Sequence, residues 1–366
     1  MFYQLFIQLV EYNSIFNIFR YITFRAIAAL ITSLVFSFFI GPRIIKMLKK
    51  KKVTETISEH ISDTHLEKQG TPTMGGLIMI ASILVSTFLW NNLVNQYVIL
   101  LLITLLWLGG VGFLDDYLKN FLNKKDGLSP KHKLIGQGVL ALIIGSIIYF
   151  SPNSHELTRI CLPFLKNAFL PLSFFFIPFV IFMIVGTSNA VNLTDGLDGL
   201  ATGLITLSTF GLGIMAYIKG HYEISQYLNI NFISGAGEVT IFASSMIGTT
   251  IGFLWFNSSP AEIIMGDTGS LSLGGLLALI SILLQEQIFF AMIGGVFVVE
   301  ALSSMLQTGY FKYTKKKLGQ GVRFFKRAPL HHHYQLKGLT ETKIVVRFWI
   351  IGILLLAIGL STLKLR

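Results

Sequence analysis

The chain has 366 residues, of which 53% are hydrophobic and only 13% charged. Its mean hydropathy of +0.68 excludes an ordinary soluble globule and points to a polytopic membrane protein. The net charge of +11 falls mostly between apolar stretches, which suits loops beside anionic membrane lipid and argues against a nucleic-acid partner. The single cysteine, Cys161, excludes an intramolecular disulfide.

The first 20 residues are rich in Phe and Tyr, carry Glu11 and lack a basic start, so they read as an interfacial lead-in and not as a cleaved signal peptide. Ten apolar stretches follow, near the roughly 20 residues that a span requires. Their cores run Ile27 to Ile45, Met74 to Leu93, Tyr97 to Leu114, Leu134 to Phe150, Phe169 to Val185, Leu200 to Ile218, Val239 to Phe256, Leu271 to Leu284, Ile288 to Tyr310 and Ile344 to Leu363. The eighth is short and weakened by Gly274-Gly275. The expected fold is all-α, a polytopic membrane helical bundle forming one integral-membrane domain over residues 1–366 with about ten transmembrane helices.

Lysines and arginines crowd the loops after the first, third and ninth stretches, at Lys46, Lys49 to Lys52, Lys119 to Lys133 and Lys312 to Lys337. The loops Asn91 to Gln96 and Gln285 to Gln287 have none. The positive-inside rule then puts odd-numbered loops in the cytoplasm and both termini outside. Asp115-Asp116 follows the third stretch, Asn192, Asp195 and Asp198 the fifth, Asp267 the seventh and His331-His332-His333 the ninth. Parity alone therefore assigns all four motifs to one face.

Carboxylates at the hydrocarbon boundary are costly and usually functional. Asp115, Asp116, Asp195, Asp198 and Asp267 supply the oxygen ligands that Mg²⁺ prefers, and Lys68, Lys119, Lys131 and Lys133 suit a diphosphate. Asn192, Asp195 and Asp198, three residues apart, would share a face in a helical turn. Glycines at 196, 199, 266 and 269 permit close backbone approach. Helix starts after Asp198 and Asp267 would offer N–H groups to an anion. Together these parts fit phosphoryl transfer. Blander readings stand beside this one: a solvated helix end for Asp115-Asp116, a helix cap for Asp195, Asp198 or Asp267, topology signals for the lysines, and an ordinary loop for the histidines. Glu300, inside the ninth stretch, requires a polar partner or a water-lined cavity. A secondary transporter would place its acids near the midplane on repeated halves, whereas these cluster at one end.

Six stretches carry a resemblance. They are Lys68-Gln-Gly-Thr-Pro-Thr-Met-Gly-Gly76, Gly112-Phe-Leu-Asp-Asp-Tyr117, Asn189 to Leu200, Phe253-Leu-Trp-Phe-Asn257, Met265-Gly-Asp-Thr-Gly-Ser-Leu271 and Ala328-Pro-Leu-His-His-His333, with Arg347-Phe-Trp-Ile beyond them. From about Gly70 to its end the chain resembles the phospho-N-acetylmuramoyl-pentapeptide transferase family, within the polyprenyl-phosphate N-acetylhexosamine-1-phosphate transferases. The resemblance implies transfer of phospho-MurNAc-pentapeptide from UDP-MurNAc-pentapeptide to undecaprenyl phosphate, giving lipid I and UMP. It implies Mg²⁺ and a site on the cytoplasmic face of the bacterial inner membrane. It implies catalytic roles for Asp115, Asp116, Asp267 and His332, with Asp267 as the Mg²⁺ ligand and Asp115 and Asp116 at the lipid phosphate. Lys68, Lys133, Asn192, Asp195, Asp198, His331 and His333 would contact substrate. Direct attack by the lipid phosphate and a covalent aspartyl-phosphate both remain open. The resemblance also raises a homodimer, for which no feature of the sequence itself argues.

Arg327 stands where the family usually has Met, and Ile264 where many members have Phe, which bears on uridine contacts. The alternative is a sister enzyme that transfers GlcNAc-1-phosphate from UDP-GlcNAc to the same lipid. The Ala328 to His333 loop together with Thr71 to Gly76 favours the muramoyl-pentapeptide form.

Overall fold

The computed structural model describes residues 2–10, 12–51, 53, 70–122, 124, 127–152, 157–162 and 168–365. Helices occupy every one of the ten apolar stretches. They are α2 (Ile22–Lys50), α3 (Gly76–Trp90), α4 (Gln96–Asn120), α5 (Pro130–Tyr149), α6 (Phe176–Thr194), α7 (Leu200–Gly220), α9 (Gly237–Asn257), α10 (Gly266–Leu283), the pair α11 (Gln287–Ile293) and α12 (Gly295–Leu318), and α14 (Glu341–Ser361). Shorter helices are α1 (Phe2–Leu9), α8 (Tyr222–Leu228) and α13 (Leu330–Gln335). Among the described residues, eight helices are long and apolar enough to cross a membrane, or nine if α11 and α12 form one span. The chain is thus a multi-pass membrane protein. At 15 residues, α3 is shorter than a usual span.

Three expectations about boundaries are corrected. The ninth stretch is broken, with α11 and α12 meeting at 80°. Gly294 and Gly295 lie at the break, where two residues without side chains give least resistance to a kink. The fifth stretch opens as a strand, because Phe169–Pro171 (β2) pairs antiparallel with Arg159–Cys161 (β1), and helix begins only after it. The eighth helix starts at Gly266, earlier than its apolar core suggests, and so takes Asp267 into its first turn.

The core forms around α10, whose residues from Thr268 to Leu283 are all buried. It packs against α3, α4, α6 and α7. In membranes small residues let helices approach closely. A Cβ on Gly274 would lie 2.8 Å from the Ser188 Cα, and one on Gly112 would collide with the Asp267 carbonyl. α2 lies along α9, with Gly248 facing the Leu30 carbonyl and Gly252 facing Ser37.

The bundle has two polar ends. At one, Arg25 pairs with Glu238 at 2.7 Å and Lys219 with Glu286 at 2.8 Å, all four buried. At the other, the C-terminal ends of α4 and α6 meet the N-terminal ends of α5 and α10, and this end carries the sequence motifs.

Candidate active site

The site begins with how the start of α10 is held. Ile264 N–H donates to the Pro72 carbonyl at 2.8 Å, and Gly75 and Gly76 N–H donate to the carbonyls of Ile264 and Met265 at 2.9 and 2.8 Å. The Thr71 to Gly76 motif is thereby a backbone clamp on the residues before Asp267. It also explains why glycine stands at position 76, where a Cβ would strike the Gly269 backbone. Gly266, with φ +71°, turns the chain into the helix in a conformation that L side chains resist.

Asp116 closes this arrangement from α4. Its Oδ1 accepts the Asp267 N–H at 3.2 Å, and its Oδ2 accepts both the N–H and the hydroxyl of Thr268, at 2.9 and 2.6 Å. The first N–H groups of a helix lack intrahelical partners. Asp116, which is buried, satisfies two of them from another helix. The sequence expectation that this helix start offers its N–H groups to a substrate anion is corrected accordingly. At α7, Gly199 N–H donates to Asn257 Oδ1 at 3.2 Å, and Asn257 also accepts from the Thr202 hydroxyl and donates to the Ile263 carbonyl.

Asp115 faces the lysines. Its Oδ1 accepts the Leu128 N–H at 2.8 Å, and its Oδ2 lies 2.5 Å from Lys119 Nζ and 3.3 Å from Lys133 Nζ. Lys133 also pairs with Asp267 Oδ2, and Lys119 lies 3.5 Å from that same oxygen. Asn192 Nδ2 donates to Asp267 Oδ1 at 2.7 Å and to Ser270 Oγ at 2.9 Å. One oxygen from each of Asp115, Asp116 and Asp267 lies within 4.8 Å of the other two. Three carboxylates against two ammonium groups leave a negative excess, which a divalent cation would offset.

The Asn192, Asp195 and Asp198 row divides, because helix α6 ends at Thr194. Asn192, in its last turn, joins the carboxylates. Asp195 caps that end and is half-buried. Asp198 is buried in the next turn, where its Oδ2 accepts the Ala261 N–H at 3.1 Å and its own N–H donates to Glu341 at 2.7 Å.

The histidines sit on α13 and differ in their surroundings. His331 is buried, with its N–H and its Nδ1 each 3.2 Å from Glu300, which answers the requirement of that acid for a partner. Its Nε2 faces Gly196, where a Cβ would strike it. His332 is half-buried and bonds Gln335 Oε1 through Nδ1 at 2.7 Å. His333 Nδ1 accepts the Lys326 N–H at 3.1 Å. Its pKa lies below the ordinary histidine value, by desolvation first and then by Lys337 and Lys326.

The structure thus gathers Asp115, Asp116, Asp267, Lys119, Lys133 and Asn192. His331 lies against the turn that follows Asn192. Lys131 is exposed, and Lys68 lies outside the described residues. Sequence reasoning missed Thr268 and Ser270 as partners, although both stand within three residues of Asp267. The Glu300 pairing with His331 had only one signal, an acid inside an apolar stretch.

Residues 98–285 match Glycosyl transferase family 4. Over 366 residues, all of both chains, the sequence is 47% identical to the phospho-N-acetylmuramoyl-pentapeptide-transferase of Thermodesulfovibrio yellowstonii. It is 48% identical to the protein of that name from Endomicrobium trichonymphae, again over the whole of both chains. A third, from Chloroherpeton thalassium, is 48% identical over 96% of this chain and 95% of its own. With such identity from end to end, and with the aspartates of its shared motifs meeting at one end of the bundle, the chain belongs to the phospho-N-acetylmuramoyl-pentapeptide transferase family.

Proposed function

We propose that the chain transfers phospho-MurNAc-pentapeptide from UDP-MurNAc-pentapeptide to undecaprenyl phosphate, forming lipid I and releasing UMP. The observation that carries this reading is the meeting of Asp115, Asp116 and Asp267 with Lys119 and Lys133 in a membrane chain 47–48% identical to such transferases along its length. The catalytic unit is the whole of residues 1–366. The site faces the cytoplasm across the bacterial inner membrane, in keeping with the lysine-rich loops beside it.

The donor set is entirely carboxylate oxygen, which fits Mg²⁺. Asp267 and Asp115 would hold the ion, and Asp116 fixes the turn on which Asp267 sits. Bound there, Mg²⁺ would offset the negative charge of the diphosphate. Asp115 orients the lipid phosphate. An oxygen of that phosphate attacks the sugar-bearing phosphorus, and the bond from that phosphorus to UMP breaks. Lys119 and Lys133 neutralise the charge that gathers on the phosphoryl oxygens. Asn192 keeps Asp267 aimed, while Asp195, Asp198 and the α13 histidines border the nucleotide and sugar side. Lys68 is assigned to phosphate by family likeness.

An apolar groove of about 330 Å³ supports the place of the polyprenyl chain. Phe182, Gly186 and Ala190 of α6 line it opposite Phe297, Ala301 and Met305 of α12, on the same helix that carries Asn192.

Purified enzyme given undecaprenyl phosphate and either UDP-MurNAc-pentapeptide or UDP-GlcNAc tests the reading. UMP release from the first donor is expected. Release from UDP-GlcNAc alone would assign the chain to the sister reaction.

A further inference from the structure

We propose that Glu300 is a positioning residue for the transfer reaction, fixing His331 in the tautomer that leaves Nε2 unprotonated and turned toward the Asp195 to Asp198 loop. The inference rests on the reading under Proposed function and adds to it a residue on α12.

Both side chains are fully buried. The two carboxylate oxygens of Glu300 are divided between the His331 backbone N–H and ring Nδ1, each at 3.2 Å. An ionised carboxylate only accepts, so the ring proton belongs on Nδ1. In the neutral ring Nε2 is then the acceptor. Nε2 is buried and has no hydrogen-bond partner among the described residues. A buried polar atom without a partner is costly and calls for an explanation. Gly196 lies directly before Nε2, and only a residue without a side chain leaves the nitrogen unblocked, since a Cβ there would strike it. Gly196 stands four residues beyond Asn192, whose amide holds Asp267. The free nitrogen therefore sits on the loop adjoining the phosphoryl-transfer centre.

A neutral Nε2 accepts a hydrogen bond and cannot donate one. Its ligand is an O–H or N–H group of the sugar-bearing substrate, such as a sugar hydroxyl or the acetamido N–H, and not a phosphate oxygen. Glu300 has two acceptor oxygens where a glutamine would have one. In E300Q the amide oxygen keeps one of the two N–H groups, and the NH₂ group favours a ring whose Nδ1 accepts and whose Nε2 carries the proton.

The test is ¹⁵N NMR of histidine-labelled full-length protein in detergent, with turnover measured on the same samples. Without substrate, wild-type His331 is expected to show a proton-bearing Nδ1 and a bare Nε2, and UDP-MurNAc-pentapeptide is expected to move the Nε2 resonance. E300Q is expected to exchange the two signals and lose turnover by about 10- to 100-fold, the scale seen when the carboxylate orienting a metal-bound histidine is removed. A proton on Nε2 in the wild type, or wild-type turnover in E300Q, would overturn the proposal. The wild-type spectrum needs no variant, so a misfolded E300Q leaves the test intact. Wild-type protein that shows the expected tautomer yet releases no UMP would instead defeat the transfer reading.

Discussion

Asp116 on α4 and Thr268 on α10 are joined twice, through the Thr268 N–H at 2.9 Å and its hydroxyl at 2.6 Å, both to Asp116 Oδ2. The neighbouring Asp115 turns to Lys119 and Lys133. Two adjacent carboxylates therefore have different partners, one holding a helix start and the other paired with two lysines.

Asp116→Asn turns an N–H group toward donors and should weaken this cap by about 1–2 kcal/mol. Asp115→Asn should leave stability near wild type and lower turnover by about 100-fold or more, on the scale of a lost electrostatic contact at the reacting groups. Thermal unfolding in detergent beside a UMP-release assay separates the two. Equal loss of stability in both variants would remove the division of roles.

Gly112→Ala should be severely damaging although the change is one methyl group. The new Cβ would collide with the Asp267 carbonyl, on a helix that cannot yield because α3, α4 and α6 enclose it. Overpacking of this kind costs about 1–3 kcal/mol. A lower unfolding temperature together with lost turnover is expected. Gly138→Ala on α5, where nothing lies within 4 Å, should change neither.

Removing divalent cations with a chelator should stop UMP release, and Mg²⁺ should restore it. Mn²⁺ binding followed by electron paramagnetic resonance should be weakened in Asp267→Asn and in Asp115→Asn. Unchanged binding in both would place the ion elsewhere.

His333 should titrate below the ordinary histidine value of about 6.5, since desolvation and the charges of Lys337 and Lys326 all disfavour its cation. Its Nδ1 accepts the Lys326 N–H only while unprotonated. With the folded pKa below the unfolded one, the unfolded chain binds more protons in that window, so stability falls as pH drops below about 6.5. Histidine NMR over pH 4 to 8 checks this, and titration at or above the ordinary value would contradict it.

Much of this arrangement was legible because membrane spans alternate in direction. Counting apolar stretches was enough to put Asp115, Asn192, Asp267 and the histidines at one end, and the helix ends that meet there are the ones that parity selects. Helix interiors were equally plain, since ten apolar runs dominate the composition. What pattern did not reveal were contacts between distant segments. The pairing of Pro72 to Gly76 with Ile264 and Met265 is made by backbone atoms, which leave no mark on side-chain identity. The split of the Asn192, Asp195 and Asp198 row depends on α6 ending at Thr194, although the spacing itself was compatible with one helical face. The break at Gly294-Gly295 had a signal in the paired glycines, but the same pairing at Gly274-Gly275 leaves α10 continuous because neighbours pack against it on every side.

The most direct measurement of the central claim is UMP release by the purified enzyme with UDP-MurNAc-pentapeptide, undecaprenyl phosphate and Mg²⁺, run beside Asp267→Asn. UMP should appear in equal amount with the lipid-linked sugar product, only when both substrates are present, and Asp267→Asn should fold and release none. UMP formed without the lipid acceptor, or an Asp267→Asn enzyme as fast as wild type, would contradict the account.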